Sequence, residues 1–141
     1  MEQQDKHQRL VTELVGVFQQ HGFTILAADN VPGFPFPNPL PNDGYGDQEP
    51  KPPDVYAFDP VSKRYVIGEA KTGDNDLETE HSLTQYNVFL DQFDEETSRQ
   101  ARLYIILPAA KVAEFNTLIT HYIHRAYWGS IVLVQSQEVK E

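Results

Sequence analysis

Eight of the ten prolines in this 141-residue chain fall within residues 31–53, and no other feature restricts the fold as strongly. Proline has a fixed φ and no backbone N–H, so this segment can form neither a helix interior nor a central strand. Loops of this length inside a compact domain are uncommon, and they are either functional covers or disordered segments. Both alternatives stay open for residues 31–53, and the regular elements must lie on either side.

Hydrophobic periodicity predicts eight elements in the order α-β-β-β-α-β-α-β. The predicted helices cover residues 4–20, 77–93 and 109–127, and the predicted strands cover residues 23–28, 54–58, 64–71, 103–107 and 131–134. The run at 103–107 is continuously apolar, which is typical of a strand buried on both faces. The length suits one domain, so we expect residues 1–141 to form a single α/β domain with a central mixed sheet flanked by helices.

The chain has no cysteine, which excludes a disulfide framework, a thiolate metal site and a cysteine nucleophile. Its first residues are polar and precede no apolar segment of the signal-peptide kind. No apolar run approaches the roughly 18 residues that a membrane span requires. The expectation is a soluble, cytoplasmic protein without membrane contacts.

Acidic and basic side chains occur together where two predicted strands should pair. Glu69 and Lys71 end the strand over 64–71, and they point to the same face because strand side chains alternate. Asp54 begins the preceding strand, and antiparallel pairing puts the start of one strand beside the end of the next. Two converging carboxylates repel each other unless a proton or a cation intervenes. Such oxygen ligands favour Mg²⁺ or Mn²⁺.

An acid two residues before a lysine is a weak motif by itself. It occurs three times in this chain, at Glu49/Lys51, Glu69/Lys71 and Glu138/Lys140. The first pair lies in the proline-rich segment and the last at the C-terminal end. Only the middle pair ends an apolar strand and follows a Pro-Asp strand start, so its context singles it out.

Pro53-Asp54 followed by Glu69-Ala70-Lys71 resembles the catalytic motif of the PD-(D/E)xK nuclease superfamily, which includes restriction endonucleases and Holliday-junction resolvases. The resemblance implies a restriction-endonuclease-like αβββαβ core. It also implies that Asp54, Glu69 and the main-chain carbonyl of Ala70 bind Mg²⁺ or Mn²⁺. Lys71 would assist the attacking water.

Two further site residues follow from the same resemblance. Many members carry a glutamate on the first helix that approaches the metal, and Glu13 is the candidate, with an ordinary solvated glutamate as the alternative. Some members carry a glutamine on the helix after the lysine. Gln85 is similar to it and is taken as a catalytic residue, with a plain amphipathic helix as the alternative.

The net charge of −10 is unusual for a protein that grips a phosphate backbone. Residues 74–96 hold eight acids and no lysine or arginine, so the remainder of the chain is near neutral. The leading hypothesis is a metal-dependent endonuclease acting on DNA, including branched or end-containing DNA, with a homodimer or a protein partner as a further expectation. The alternative is a catalytically inactive protein of the same fold that binds a basic partner through its acidic helix.

Overall fold

The computed structural model describes residues 2–38, 52–72, 93–94, 99–122 and 125–139. Within them two α-helices and seven strands form, joined in part by short 3-10 helices at Ala109–Lys111 and Arg125–Ser130. The helices are α1 (Glu2–Gln20) and α2 (Val112–Tyr122). The strands are β1 (Thr24–Ala28), β2 (Val55–Asp59), β3 (Arg64–Ala70), β4 (Phe93–Asp94), β5 (Arg99–Gln100), β6 (Arg102–Leu107) and β7 (Ile131–Gln135).

Five of these strands form a mixed sheet in the order β1-β2-β3-β6-β7. The first three make an antiparallel meander, and β6 and β7 then add in parallel to β3 and to each other. The remaining strands, β4 and β5, form a separate two-stranded antiparallel sheet. The predicted α/β class with a central mixed sheet is thereby confirmed.

Of the described helices, α1 packs on one face of the sheet and α2 on the other. The α1 side chains Leu10, Leu14 and Phe18 are fully buried against the face that carries Val66 and Ala70 of β3. On the other face, Phe115 and Leu118 of α2 pack against β3 and β6 side chains, among them Ile67, Leu103 and Ile105. The alternation along β3 thus separates two cores, and Glu69 and Lys71 follow Ile67 on the α2 side.

The predicted end of the first helix is confirmed. Gly22 adopts φ +80°, a left-handed conformation that glycine reaches without steric cost. The Phe23 amide donates to the Phe18 carbonyl and the Gly22 amide donates to the Gln19 carbonyl, both at 3.1 Å. These two hydrogen bonds cap the C-terminal end of α1, and the chain then continues directly into β1.

Two predicted elements differ from the structure. The predicted helix over 109–127 is split, because a 3-10 helix precedes α2 and the α-helix itself ends at Tyr122. Of the predicted helix over 77–93, residues 77–92 lie outside the described residues, and Phe93 begins the short strand β4. Phe93 is extended because β4 pairs with β5 at Arg99–Gln100, and such a tertiary contact overrides local helical periodicity.

The described parts of the proline-rich segment, residues 31–38 and 52–53, contain neither helix nor strand, as its composition predicts. Among the described helices, none is long and apolar enough to cross a membrane.

Candidate metal centre

The hairpin of β2 and β3 brings Asp54 to the end of β3. Val55 lies opposite Gly68, so Asp54 lies beside Glu69 by continuation of the register. The Asp54 amide donates to the Gly68 carbonyl at 3.1 Å. Its carboxylate oxygen Oδ2 accepts a hydrogen bond from the Ala70 amide at 2.8 Å. Main chain and side chain therefore both hold the Asp54 carboxylate at the point where β3 ends.

Glu69 and Lys71 are buried at this point, although both are ionisable. They are only 4% and 5% exposed, and Lys71 Nζ lies 3.7 Å from Glu69 Oε1. Within the described part of the chain, the second oxygen of Glu69, Oε2, is buried and has no hydrogen-bond partner. Burial raises the pKa of Glu69 well above its ordinary value, the Asp54 carboxylate raises it further, and the Lys71 ammonium opposes both.

The first helix contributes a histidine to the same place. His7 Nε2 lies 3.2 Å from Asp54 Oδ2, and the His7 side chain is about one-third exposed. The hydrogen bond to Asp54 raises the pKa of His7 above its ordinary value, although partial burial opposes the shift. The imidazole therefore lies on the solvent side of Asp54.

A second aspartate, Asp29, reaches the centre from the end of β1. Because β1 pairs with β2 so that Ala28 lies opposite Val55, the next residue of β1 lies beside Asp54. The Asp29 amide also donates to the Asp54 carbonyl at 2.8 Å. Partial burial and the nearby Asp54 charge raise the pKa of Asp29, which is the expected consequence of crowding two carboxylates.

His7, Asp29 and Asp54 form a group that could hold a metal ion. One ligand atom from each lies within 4.8 Å of the other two. The donor set fits a divalent cation, because two carboxylates and an imidazole are all metal ligands in proteins. The unpartnered buried oxygen of Glu69, next to Asp54, is a further group that a cation would satisfy.

The sequence-predicted residues divide into those that the fold brings together and those that it does not. Asp54, Glu69 and Lys71 meet at the end of β3, and the Ala70 amide contacts the Asp54 carboxylate. That the Ala70 carbonyl binds a metal stays a prediction. Gln85 lies outside the described residues.

Glu13 makes other contacts. Its Oε1 accepts a hydrogen bond from the Ser136 hydroxyl at 2.6 Å, and its Oε2 accepts one from the Gln137 amide at 2.7 Å. Both oxygens thus hold the segment that follows β7, and the metal-capable group among the described residues does not include Glu13. The first-helix residue that meets Asp54 is His7.

Sequence reasoning missed His7 and Asp29, although each leaves a signal. His7 precedes Leu10, Leu14 and Phe18 at helical spacing, so it continues the buried stripe of α1 to its N-terminal end. Asp29 directly follows the apolar strand β1. In an antiparallel meander the end of β1 meets the start of β2, so this position is expected beside Asp54.

Comparisons with protein-family models, with curated proteins and with solved structures found no match for this chain.

Proposed function

We propose that this protein is a divalent-metal-dependent phosphodiesterase that cleaves DNA, with the restriction-endonuclease-like core that the PD-(D/E)xK resemblance implies. One observation carries the proposal: Glu69 is buried beside Asp54 with an oxygen that has no hydrogen-bond partner among the described residues. A buried carboxylate opposes folding, since removing its charge from water costs several kcal/mol, and the Lys71 ammonium 3.7 Å from Oε1 still leaves Oε2 without a hydrogen bond. Its retention is understandable if the group binds a cation.

The order of elements supports the same core. Along the chain come first a helix, then a three-stranded antiparallel meander and later a strand parallel to β3. This is the order that the resemblance implies for these elements. The hairpin also juxtaposes the motif residues without a change of register. Gln85 would add to this set from the predicted helix over 77–93.

The side chains of this centre suit hydrolysis of a phosphodiester by water. Asp54 and Glu69 are the candidate ligands, with the Ala70 carbonyl as a third, for Mg²⁺ or Mn²⁺. Such an ion, when bound, neutralises phosphate charge and lowers the pKa of a coordinated water. Lys71 is held at the same strand end, where its ammonium can orient the attacking water or stabilise charge that develops on the phosphate. Because Glu69 and Lys71 are buried, these charges act in a medium less polar than water.

The test is cleavage of plasmid and branched DNA with Mg²⁺ or Mn²⁺ by the wild type and by Lys71→Ala. We expect metal-dependent cleavage by the wild type and a loss of at least about a hundredfold in the variant. Lys63→Ala is the matched control, because Lys63 is exposed in the turn at the opposite end of the same hairpin. It should leave the rate unchanged within a factor of about two.

A second pair of variants distinguishes the Glu69/Lys71 motif from the other acid-x-lysine pairs of the chain. Glu69→Gln should abolish cleavage, whereas Glu138→Gln, in an acid-x-lysine pair without strand context, should not. No cleavage of any DNA by the wild type, together with no metal bound at Asp54 and Glu69, would overturn the proposal. The inactive interaction protein with a basic partner would then be the better hypothesis.

A further inference from the structure

The described part of the proline-rich segment lies along one edge of the sheet, beside the candidate metal centre. β1 is an edge strand, and the Asp29 amide that follows it points inward to the Asp54 carbonyl at 2.8 Å. Successive amides of an extended chain point to opposite sides, so the Ala28 amide points outward, where it donates to the Pro35 carbonyl at 3.0 Å. Pro35 therefore lies against the outer side of β1, at the end where Asp29 joins the metal centre.

The segment is fastened at several points before it reaches Phe36. Gln8 of α1 donates its side-chain amide to the Asp29 carbonyl at 3.1 Å. The Phe34 amide donates to the Val31 carbonyl at 3.2 Å, and both side chains pack against the core beneath α1. Hydrogen bonds and core contacts therefore hold the chain in place immediately before Phe36.

Phe36 projects into solvent from this fastened segment. Its side chain is 64% exposed, whereas the next residue, Pro37, is buried. Prolines on both sides restrict the backbone of Phe36, since proline fixes its own φ and limits the residue before it. Prolines also protect an edge strand from pairing with another chain, but that role needs no exposed phenyl ring. Phe36 thus presents an ordered aromatic face that the fold itself does not require.

This ring lies within reach of a substrate at the metal centre. The hydrogen bond between Ala28 and Pro35 limits the distance between the Phe36 and Asp29 Cα atoms to at most about 11 Å. A stacked strand advances about 3.4 Å per nucleotide, so at most about three nucleotides span this distance. A base close to the phosphate that is cleaved can therefore reach Phe36.

The charge of the chain favours an uncharged contact with DNA. Phosphate contacts from lysine and arginine supply most non-specific affinity, but this chain has 21 acids and only 11 lysines and arginines. Stacking of a base on an aromatic side chain needs no charge, and every base has such a face. Bases within a duplex are already stacked and paired, whereas an unpaired base is free to move onto an aromatic side chain at little cost.

We propose that Phe36 is a specificity residue that stacks on an unpaired base of the substrate DNA, next to the phosphate at the metal centre. The preferred substrate is then DNA with a single-stranded overhang rather than a blunt duplex. This role of Phe36 rests on the proposed function, because the phosphodiesterase supplies the substrate. A protein groove that encloses proline-rich segments fits less well, because Pro37 is buried and the Pro35 carbonyl is bonded to β1.

The test is binding of fluorescently labelled DNA to the full chain in a Lys71→Ala background, which keeps the DNA intact during the titration. A duplex with a short single-stranded overhang is compared in Mg²⁺ with a blunt duplex of the same length. We expect the overhang to bind at least about fivefold more tightly, since stacking of one base contributes that factor or more. Phe36→Ala should remove this preference, and Phe36→Trp should retain it.

Cleavage by the otherwise unsubstituted chain gives a second measurement. Phe36→Ala should raise the KM for the overhang DNA by at least about fivefold, because the stacked base is lost. It should leave the KM for the blunt duplex unchanged. Thermal unfolding should also be unchanged, since the Phe36 side chain is exposed.

Two variants serve as controls. Val61→Ala removes another exposed apolar side chain, 91% exposed in the turn at the opposite end of the β2–β3 hairpin, and it should leave both affinities unchanged. Phe36→Leu keeps an apolar side chain without the ring and should behave as Phe36→Ala does. The dependence of affinity on salt should have the same slope with and without Phe36→Ala, because stacking releases no counterions.

Two results would overturn the inference. In the first, Phe36→Ala binds the overhang as tightly as the parent chain does, and a protein that binds proline-rich segments then explains the exposed ring better. In the second, Phe36→Ala changes the slope of the salt dependence, so that phosphate contacts account for the loss. The proposed function fails separately. Overhang binding that depends on Phe36 without any cleavage sinks the phosphodiesterase, whereas cleavage that does not depend on Phe36 sinks only the stacking contact.

Discussion

At the scale of single residues, Glu69 and Glu13 show that the same side chain has different roles according to its burial and its hydrogen-bond donors. Glu69 is buried next to Asp54, and its pKa is raised because burial and a like charge both disfavour ionisation. Glu13 instead has a hydrogen-bond donor on each oxygen. The first arrangement costs folding free energy, which the Lys71 ammonium offsets in part and a bound cation would offset further. The second contributes to stability.

Glu13 fastens the C-terminal segment to α1. The Ser136 hydroxyl that donates to Glu13 also accepts hydrogen bonds from the Val139 amide at 2.8 Å and from the Glu138 amide at 3.2 Å. Val139 is buried in the core beneath α1. The carboxylate of Glu13 thus orders a short turn that inserts an apolar side chain.

We expect Glu13→Gln to lower the free energy of unfolding by about 1–3 kcal/mol, because hydrogen bonds to a charged acceptor are lost. Chemical denaturation measures this. Glu138→Gln makes the same chemical change at an exposed position in the same segment and should stay within about 0.5 kcal/mol. If Glu13→Gln instead weakens Mn²⁺ binding and leaves stability unchanged, Glu13 is a metal ligand after all.

At the scale of elements, α1 packs closely on the sheet and carries the His7 that contacts Asp54. Gly68 of β3 lies directly below the helix. A Cβ at this position would be 2.7 Å from Leu14 Cδ2 and 3.1 Å from both Phe18 Cζ and Val55 Cβ. Glycine therefore permits the close approach of α1 and β3, and the same helix carries His7 to Asp54 nearer its N-terminal end.

Gly68→Ala should destabilise the protein by about 1–3 kcal/mol, since overpacking forces neighbouring groups to shift. Thermal unfolding in a chelator measures the change. Gly16→Ala is a suitable control because no atom lies within 4 Å of its added Cβ, and it should stabilise α1 by about 0.5–1 kcal/mol. An unchanged melting temperature for Gly68→Ala would mean that α1 is free to move away from the sheet.

At the scale of the whole molecule, the candidate metal centre joins four elements that are remote in the chain. His7 comes from α1, Asp29 follows β1, Asp54 precedes β2 and Glu69 lies in β3. Three of these four groups are acids within a protein of net charge −10. Without a cation their mutual repulsion opposes the very packing that assembles them.

Divalent metal should therefore stabilise the fold. At Mn²⁺ concentrations about a hundredfold above the dissociation constant, the free energy of unfolding should rise by about 2.7 kcal/mol, or roughly 10 °C in melting temperature. Differential scanning fluorimetry with Mn²⁺ against a chelator measures the shift. Asp54→Asn, which removes the carboxylate that lies beside both His7 and Glu69, should abolish most of the shift. An equal shift in this variant would mean that the stabilising ion binds elsewhere.

Much of this arrangement follows from local sequence. The apolar stripe of α1, the glycine that ends it and the apolar run of β6 each act through neighbouring residues, so periodicity predicts them. The hairpin likewise predicts that Asp54 meets Glu69, because antiparallel pairing places the start of β2 beside the end of β3. The proline-rich segment is excluded from regular structure by backbone chemistry alone.

Tertiary structure decided the rest. The apolar stripe of α1 places His7 on the face that meets the sheet, but which residue of that face reaches Asp54 depends on how α1 lies across the sheet. Asp29 joins the centre only because β1 pairs with β2 in one register. The sequence by itself thus determined that two carboxylates and a lysine share the end of β3, because strand alternation and hairpin pairing are local rules. Packing across long chain separations decided that His7 and Asp29, and not Glu13, complete the group, because only the folded chain brings their ligand atoms within reach of one ion.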